Sequence, residues 1–308
     1  MEIFFTLFSK IIYLYFLIGV GVFAGKKLNV KKEKLAPILI YGIAPVVFFN
    51  SIIKINIIPQ YLLLPVIFFV LCSCIGICSY FIGGKLFKDS TRNLLALSSG
   101  TANTGYFGIP IADCFCGQDV LGIIVLGILG FGIYECSLGF YMIALGKHSP
   151  KEAFFRVLKL PTLYAILLGL VMNYLHVHVH EGYILFSSIL VQIYTVIGMM
   201  IIGLGLADMK RFEIDKVFLT VSFLIKFIIW PLVIVMLILL DKQIFHLFNF
   251  IVYKVMILLS IVPLAANTVA FATEFNAKPD KASSAVLLST LFAMIYIPVV
   301  IVLVKMFL

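Results

Sequence analysis

The sequence predicts an all-α integral membrane protein in which ten transmembrane helices form two five-helix repeats of inverted orientation. Three observations lead to this fold class. The composition is strongly apolar, apolar stretches of helix length follow one another along the chain, and one short motif occurs once in each half. Together they predict a chain that lies almost entirely within a lipid bilayer.

The composition excludes a water-soluble globule. Of the 308 residues, 63% are hydrophobic and only 12% are charged, which leaves too little polar surface for a soluble protein of this length. A net charge of +9 would suggest nucleic acid as a partner of a soluble protein. Because most of the basic residues lie in short loops here, we expect the lipid bilayer as the surroundings and no nucleic-acid partner.

Ten apolar stretches are long enough to cross a bilayer, which takes roughly 20 residues of helix. The predicted helices span residues 3–24, 36–53, 61–83, 94–116, 120–144, 158–175, 183–206, 217–239, 251–273 and 282–306. A polar segment around Ser149-Pro150 divides the chain into a first repeat (1–146), a cytoplasmic linker (147–157) and a second repeat (158–308). Because each repeat has an odd number of spans, the second enters the membrane upside down relative to the first.

The distribution of Lys and Arg predicts the orientation in the membrane. Loops that follow odd-numbered helices hold 17 of the 23 basic residues, whereas loops that follow even-numbered helices hold two, Lys54 and Lys242. By the positive-inside rule the odd-numbered loops face the cytoplasm. We therefore expect a multi-pass protein of the cytoplasmic (plasma) membrane with both termini outside.

A short motif recurs in the fourth and ninth predicted helices. The pattern Ala-Asn-Thr-x-x-Phe occurs at residues 102–107 and again at 266–271. Helix-interrupting residues accompany both copies: Gly100, Gly105, Gly108 and Pro110 in the fourth span, and Pro263 in the ninth. Non-helical backbone survives in hydrocarbon only where it is buried in protein or lines a wet cavity. Two broken helices at matching positions therefore predict a binding site near the bilayer midplane.

The chemistry of the two breaks favours an anion. The amino ends of half-helices carry partial positive charge and unpaired amides, which suit a carboxylate, and Asn and Thr add neutral hydrogen-bonding groups. The predicted substrate-binding residues are Asn103, Thr104, Gly105, Pro110, Pro263, Asn267 and Thr268. The alternative is that the breaks only kink two helices, and that the Asn and Thr side chains hold neighbouring helices together.

With these features the sequence resembles the auxin efflux carrier family, in particular its bacterial malate and malonate carriers. The resemblance rests on the chain length, the five-plus-five arrangement, the runs 103–110 and 263–267, and the last helix. It implies a secondary transporter in which helices 4 and 9 cross at the substrate, as in bile-acid symporters and the NhaA antiporter. It also implies an elevator-like movement of helices 3–5 and 8–10 against a scaffold of helices 1, 2, 6 and 7. Unlike plant members, this chain has no Asp or Glu between Asn50 and Gly83 in the third span.

Two ionisable residues lie deep in apolar runs, Glu135 in the fifth helix and Lys226 in the eighth. Each is about ten residues from the cytoplasmic end of its span, which is roughly 15 Å, so we expect that the two can meet. One interpretation makes them a titratable or cation-coupled element beside the crossing. The other makes them a structural ion pair, or makes Lys226 a lysine that snorkels past Trp230. The coupling ion stays open between proton and sodium.

Other classes of protein find less support in the sequence. A membrane enzyme needs paired carboxylates, a Ser/His pair or a metal cluster, and Glu135 is the only clearly deep acid, so we predict neither an enzyme nor a cofactor. A receptor does not explain an inverted duplication with paired broken helices. The nearest alternative is a sodium-coupled symporter of the bile-acid type. The histidines within 176–180 lie in a predicted external loop, where a plain polar loop is favoured over a zinc site. A homodimer remains an open expectation.

Overall fold

The computed structural model describes residues 2–54, 61–109, 111–112, 120–209 and 214–307, and within these ranges the regular elements are all helices. This confirms the all-α prediction. We number the main helices in chain order: α1 Glu2–Leu28, α2 Lys32–Ile53, α3 Leu63–Leu86, α4 Thr91–Gly100, α5 Gly122–Ala144, α6 Pro150–Leu158, α7 Pro161–Tyr174, α8 Glu181–Ala207, α9 Lys216–Phe245, α10 Phe250–Ile261, α11 Asn267–Glu274 and α12 Pro279–Phe307.

Among the described residues, six helices are long and apolar enough to cross a bilayer: α2, α3, α5, α8, α9 and α12. There are seven if α6 and α7, which are bent by 43° at their junction, count as one span. The chain is therefore a multi-pass membrane protein, as its composition predicts. The count of ten and the inverted pairing stay predictions. Helix α4, for example, has 10 residues and covers about 15 Å, half the thickness of the hydrocarbon core. It can therefore cross the bilayer only together with a second segment of chain.

The most extensive packing is between a few pairs of helices, some of them far apart in the chain. Helix α1 lies along α8, α2 along α7, and α3 against both α4 and α5. The α1–α8 pair is close enough that a Cβ atom on Gly203 would clash with the carbonyl oxygen of Ile18, and one on Gly21 with that of Met200. Small residues at such positions let two helix backbones approach within van der Waals distance, which is a main source of helix association in lipid.

Ion pairs join the ends of helices at the end of the molecule that the charge distribution predicts to be cytoplasmic. Lys32, at the start of α2, is buried, and its Nζ lies 2.7 Å from Asp208 Oδ2 and 3.3 Å from Asp280 Oδ1. Asp208 follows α8 and Asp280 belongs to the first turn of α12. One lysine therefore holds three helix ends together.

Two further ion pairs lie in the same predicted cytoplasmic loops. Lys281 Nζ is 2.6 Å from Asp215 Oδ2, and Lys278 Nζ is 2.9 Å from Asp89 Oδ2. Partial burial raises the pKa of Asp215, but the hydrogen bonds from Lys281 and from the backbone amide of Phe218 outweigh burial and leave the pKa below its ordinary value. These contacts attach the start of α12 to the starts of α4 and α9.

Candidate functional site at the crossing of two broken helices

Helix α4 ends at Gly100, in the middle of the predicted fourth span. Thr101 is extended, with φ −101° and ψ 163°, and a short π-helical turn follows at Thr104–Gly108. The backbone amide and the hydroxyl of Thr101 both donate to the carbonyl of Leu97, at 3.1 and 3.0 Å, and so cap the last turn of α4. The interruption predicted from the glycines in this segment is confirmed.

Side chains from α5 and α9 donate to further carbonyls at the end of α4, whose residues are buried in the protein. The contacts are Tyr134 Oη to Ala96 O at 2.9 Å, Trp230 Nε1 to Ser99 O at 2.7 Å, and Lys226 Nζ to Thr101 O at 3.4 Å. All three donor side chains are fully buried. Because an unpaired carbonyl in hydrocarbon costs several kcal/mol, these donors make a break at this depth tolerable.

Two glycines make room for the Tyr134 ring. A Cβ atom on Gly76 of α3 or on Gly100 at the end of α4 would clash with that ring. Glycine at both positions lets the phenol lie between the two helices and reach the carbonyl of Ala96. Gly100 therefore favours the break in two ways. It has a weak helix propensity, and its lack of a side chain leaves room for the Tyr134 ring.

The second break lies between α10 and α11. Helix α10 ends at Ile261 and α11 begins at Asn267, so the intervening residues leave the helix around Pro263, as predicted. Proline has no amide hydrogen to leave unpaired. The next amide, that of Leu264, donates to Ser289 Oγ of α12 at 3.3 Å. The last helix thus supplies a polar group to the second break.

The two breaks touch each other. The backbone amide of Asn103 donates to the carbonyl oxygen of Pro263 at 2.9 Å, and the hydroxyls of Thr101 and Thr268 are 3.4 Å apart. A backbone amide freed by one interruption is therefore satisfied by a carbonyl freed by the other. The crossing is thus a direct contact between the two helix breaks, and each contact joins a residue of one motif copy to a residue just outside the other.

A cavity of about 210 Å³ lies beside this contact. Its walls are mostly aliphatic and aromatic side chains of α2, α5 and α8. Its polar lining residues are Ser51, Asn103, Thr104, Glu135, Tyr194, Thr195 and Asn267. In the part of the lining that the structure describes there is no Lys or Arg. The cavity is therefore apolar with a concentration of neutral polar groups and one carboxyl group at the crossing.

Asn267 connects the crossing to the carboxyl group. Its side-chain amide nitrogen donates to Glu135 Oε1 at 2.7 Å and to the Tyr194 hydroxyl at 2.6 Å. A primary amide has two N–H groups, so both are used. Asn267 thus joins α11 to α5 and α8 across the floor of the cavity.

Two side-chain amides retain unused hydrogen-bonding capacity. The Asn267 Oδ1 atom is buried and has no partner. Asn103 is 3% exposed, lines the cavity, and receives no side-chain hydrogen bond from any described residue. Buried polar groups in proteins nearly always have a partner, so the Asn267 Oδ1 atom at the cavity has room for one donor from a water or a solute.

The predicted site residues fall into three groups. Asn103, Thr104, Gly105 and Asn267 line the cavity, as does Glu135. Pro263 and Thr268 make the contact between the breaks but are not part of the lining. Pro110 lies outside the described residues. Whether any of them binds a solute stays a prediction.

The expected contact between Glu135 and Lys226 is not made. Glu135 is bonded to Asn267, whereas the Lys226 ammonium lies at the Thr101 carbonyl and over the Trp230 ring, 4.9 Å from its centroid. The structural ion-pair interpretation is therefore wrong for this conformation. The matched depth of the two residues does not bring them together, because each side chain has other partners: Asn267 for Glu135, and the Thr101 carbonyl and the Trp230 ring for Lys226.

Sequence reasoning missed three residues that build the site: Tyr134, Tyr194 and Trp230. Each places a polar tip deep in an apolar helix, and such aromatic side chains need a hydrogen-bond partner when they are buried. That property was a usable signal for all three. It indicates that a partner exists without indicating which residue it is.

The histidine segment has a local role in the structure. His180 is the N-cap of α8, and its Nδ1 accepts a hydrogen bond from the amide of Gly182 at 3.0 Å. Within the described part of the chain, no three His, Cys, Asp or Glu side chains are grouped as metal ligands.

Six or seven helices able to cross a bilayer, packed with two interrupted helical segments that meet beside a partly polar cavity, define a multi-pass membrane protein. The sequence profile of the membrane transport protein family matches residues 142–301, just over half of the 308 residues. The chain belongs to this family, in agreement with its resemblance to the auxin efflux carriers. The matched range includes the second break with Asn267 but neither Asn103 nor Glu135.

A curated relative points to the same class. A protein of Methanocaldococcus jannaschii, described as an uncharacterized transporter, is 33% identical to this chain over 167 residues. The aligned segment covers 51% of this chain and 54% of the relative, so it spans about half the length of that protein.

Proposed function

We propose that this protein is a secondary transporter that carries a small organic anion, such as a carboxylate of the malate or malonate type, across the cytoplasmic membrane. One observation carries the proposal: both copies of the repeated motif line one cavity, where the Asn267 Oδ1 atom and the Asn103 side chain have no hydrogen-bond partner among the described residues. The family membership supports transport as the activity. The cavity volume of about 210 Å³ is below the ~300–1,000 Å³ of pockets for drug-sized ligands, which favours a small solute.

Neutral groups at the crossing suit an anion. Helix α11 begins at the cavity with Ala266 and Asn267, so the positive end of its dipole faces the bound solute. The side-chain amide of Asn103 adds two N–H donors that no described residue uses. These donors stabilise a carboxylate without placing a fixed positive charge in the cavity.

The proposal includes coupling of solute transport to a cation, because Glu135 lines the cavity. An ionised Glu135 would repel a carboxylate bound in this cavity, since the described lining holds no Lys or Arg. Either a proton on Glu135 or a sodium ion between the two carboxylates removes the repulsion. Proton coupling and the sodium-coupled symporter of the bile-acid type therefore remain the two candidates for the mechanism, with an enzyme or a receptor as the less favoured classes.

The helix packing supports an elevator-like movement. Helices α1, α2, α7 and α8 pack with one another, whereas α3, α4 and α5 form a separate group. We propose that the first group, with α6, is the scaffold and that α3–α5 and α9–α12 move against it. In the predicted topology the cavity is lined by the outer parts of α2, α5 and α8, while Lys32 and its two aspartates close the cytoplasmic end. The conformation is then outward-facing.

The inverted-repeat topology belongs to this proposal, with residues 1–146 and 158–308 as the repeats and both termini outside. We expect a cysteine at position 151, in a variant that lacks the six native cysteines, to resist an impermeant thiol reagent added outside intact cells. Rapid labelling there would overturn the topology.

Uptake and counterflow in proteoliposomes test the activity, with a panel of mono- and dicarboxylates and with pH and sodium varied independently. We expect Asn103→Leu to abolish transport of the accepted solute. The matched control is Asn50→Leu, which removes a buried asparagine of α2 that is not part of the cavity lining. Normal transport by Asn103→Leu, or no uptake of any solute by the parent protein, would contradict the proposed function.

A further inference from the structure

Lys226 has no acidic partner among the described residues, although it is fully buried in the middle of α9. It belongs to a π-helical turn, Ile225–Ile229, which widens the helix at this point. Its Nζ atom donates to the Thr101 carbonyl at 3.4 Å and lies 4.9 Å from the centroid of the Trp230 ring and 5.7 Å from that of Phe131. A carbonyl oxygen and two aromatic faces are groups that stabilise a cation.

The place that this ammonium occupies is the carboxyl end of a half-helix. Helix α4 ends at Gly100, and Thr101 is its C-cap, so partial negative charge accumulates there. In transporters built on broken helices, unwound carbonyls and the carboxyl ends of half-helices are where coupling cations bind. The Thr101 hydroxyl also contacts Thr268, so this end of α4 is connected to the second break.

We infer that the Lys226 ammonium is a built-in substitute for a coupling cation at the crossing. The charge that a bound sodium ion would bring to the end of α4 is carried by the chain itself and travels with the moving helices. The inference rests on the proposed function and narrows it: sodium has no position to fill at this half-helix, and Glu135 is left as the cavity group whose charge can change during a transport cycle.

The test is a comparison of thermal unfolding midpoints of purified full-length protein in sodium chloride and in choline chloride at equal ionic strength. The parent protein is expected to show the same midpoint in both salts. Lys226→Ala, which vacates the cation position, is expected to unfold at lower temperature in choline and to recover by roughly 2–4 °C, saturably, in sodium or methylammonium chloride. Lys226→Val, which also vacates the ammonium position but keeps a larger apolar side chain, provides a second variant in case Lys226→Ala does not fold.

The matched control is Trp230→Phe. It also removes a donor to a carbonyl of α4, that of Ser99, but it removes no charge. It should be destabilised equally in all three salts. The inference is overturned if sodium stabilises the parent protein. It is also overturned if neither cation raises the midpoint of a Lys226 variant, because Lys226 would then be an ordinary hydrogen-bond donor like Trp230.

The unfolding midpoints test the role of Lys226 without any measurement of transport. If no solute is transported but the unfolding midpoints behave as expected, the role of Lys226 stands and the proposed function fails. If the parent protein transports a solute but neither cation raises the midpoint of Lys226→Ala, the proposed function stands and the inference fails.

Discussion

The structure predicts that replacement of the two motif asparagines by leucine has different effects on stability. In Asn267→Leu the protein loses the hydrogen bond to Glu135 and the hydrogen bond to Tyr194. A bond to a charged group contributes about 1.5–3 kcal/mol and a side-chain bond between membrane helices about 0.6–1.7 kcal/mol. The expected loss is therefore about 2–4 kcal/mol, because a buried carboxylate is left without its donor.

In Asn103→Leu no hydrogen bond between described residues is lost, since only the backbone amide of Asn103 contacts the second break. We expect a change in the free energy of unfolding below about 1 kcal/mol. Asn50→Leu provides an intermediate reference, because it loses one neutral bond, from Ser187 at 2.8 Å, which contributes about 0.6–1.7 kcal/mol. Both motif variants are nevertheless expected to lose solute binding, because both side chains line the cavity.

Thermal unfolding in one detergent measures the difference. Asn267→Leu should lower the midpoint by roughly 5–15 °C, and Asn103→Leu by a few degrees at most. Equal destabilisation of the two variants would show that the Asn103 side chain has a structural partner after all. An unchanged midpoint for Asn267→Leu would refute the bridge between α11, α5 and α8.

Two further predictions concern the ion pairs at the predicted cytoplasmic end. Asp280→Asn should increase hydrogen exchange at the start of α12, because Lys32 then no longer ties α2 to α12, whereas Asp208→Asn leaves that tie in place. Equal exchange in both variants would show that the Lys32–Asp280 pair does not hold the start of α12. The pKa of Asp215 is lowered in the fold, so its pair with Lys281 stabilises the protein above the ordinary value of 3.8 and is lost as the pH falls through the folded pKa. The parent protein should therefore lose more stability than Asp215→Asn between about pH 5 and pH 3. Equal losses in the two proteins would show that the Asp215–Lys281 pair does not contribute to stability.

Hydropathy located the long apolar helices, because any span must satisfy its own backbone hydrogen bonds in lipid. The predicted range 183–206 lies within α8 Glu181–Ala207, and the predicted range 61–83 overlaps α3 Leu63–Leu86. The interruptions at Gly100 and Pro263 were also predictable, since both residues weaken or break a helix in any environment. Whether the two halves are inverted copies is a matter of global arrangement that remains a prediction.

The membership of the cavity lining was predicted in part. Asn103, Thr104, Gly105 and Asn267 belong to it, and their shared motif was the signal. Tyr194 carries no such motif and was found only from the structure. A tyrosine in an apolar helix indicates that its hydroxyl has a hydrogen-bond partner, but many residues can be that partner.

The sequence by itself therefore determined that this chain lies in a membrane, where its helices break, and which polar residues are placed at the breaks. Only the tertiary structure decided the partners: Glu135 bonds Asn267, and Lys226 bonds the carbonyl of Thr101. The physical reason is that α5 and α9 are apolar on nearly every face, so their sequences carry no periodic signal for the rotation of each helix about its axis. Depth in the bilayer follows from counting residues along a span, whereas the direction of a side chain is set by the packing of every neighbouring helix.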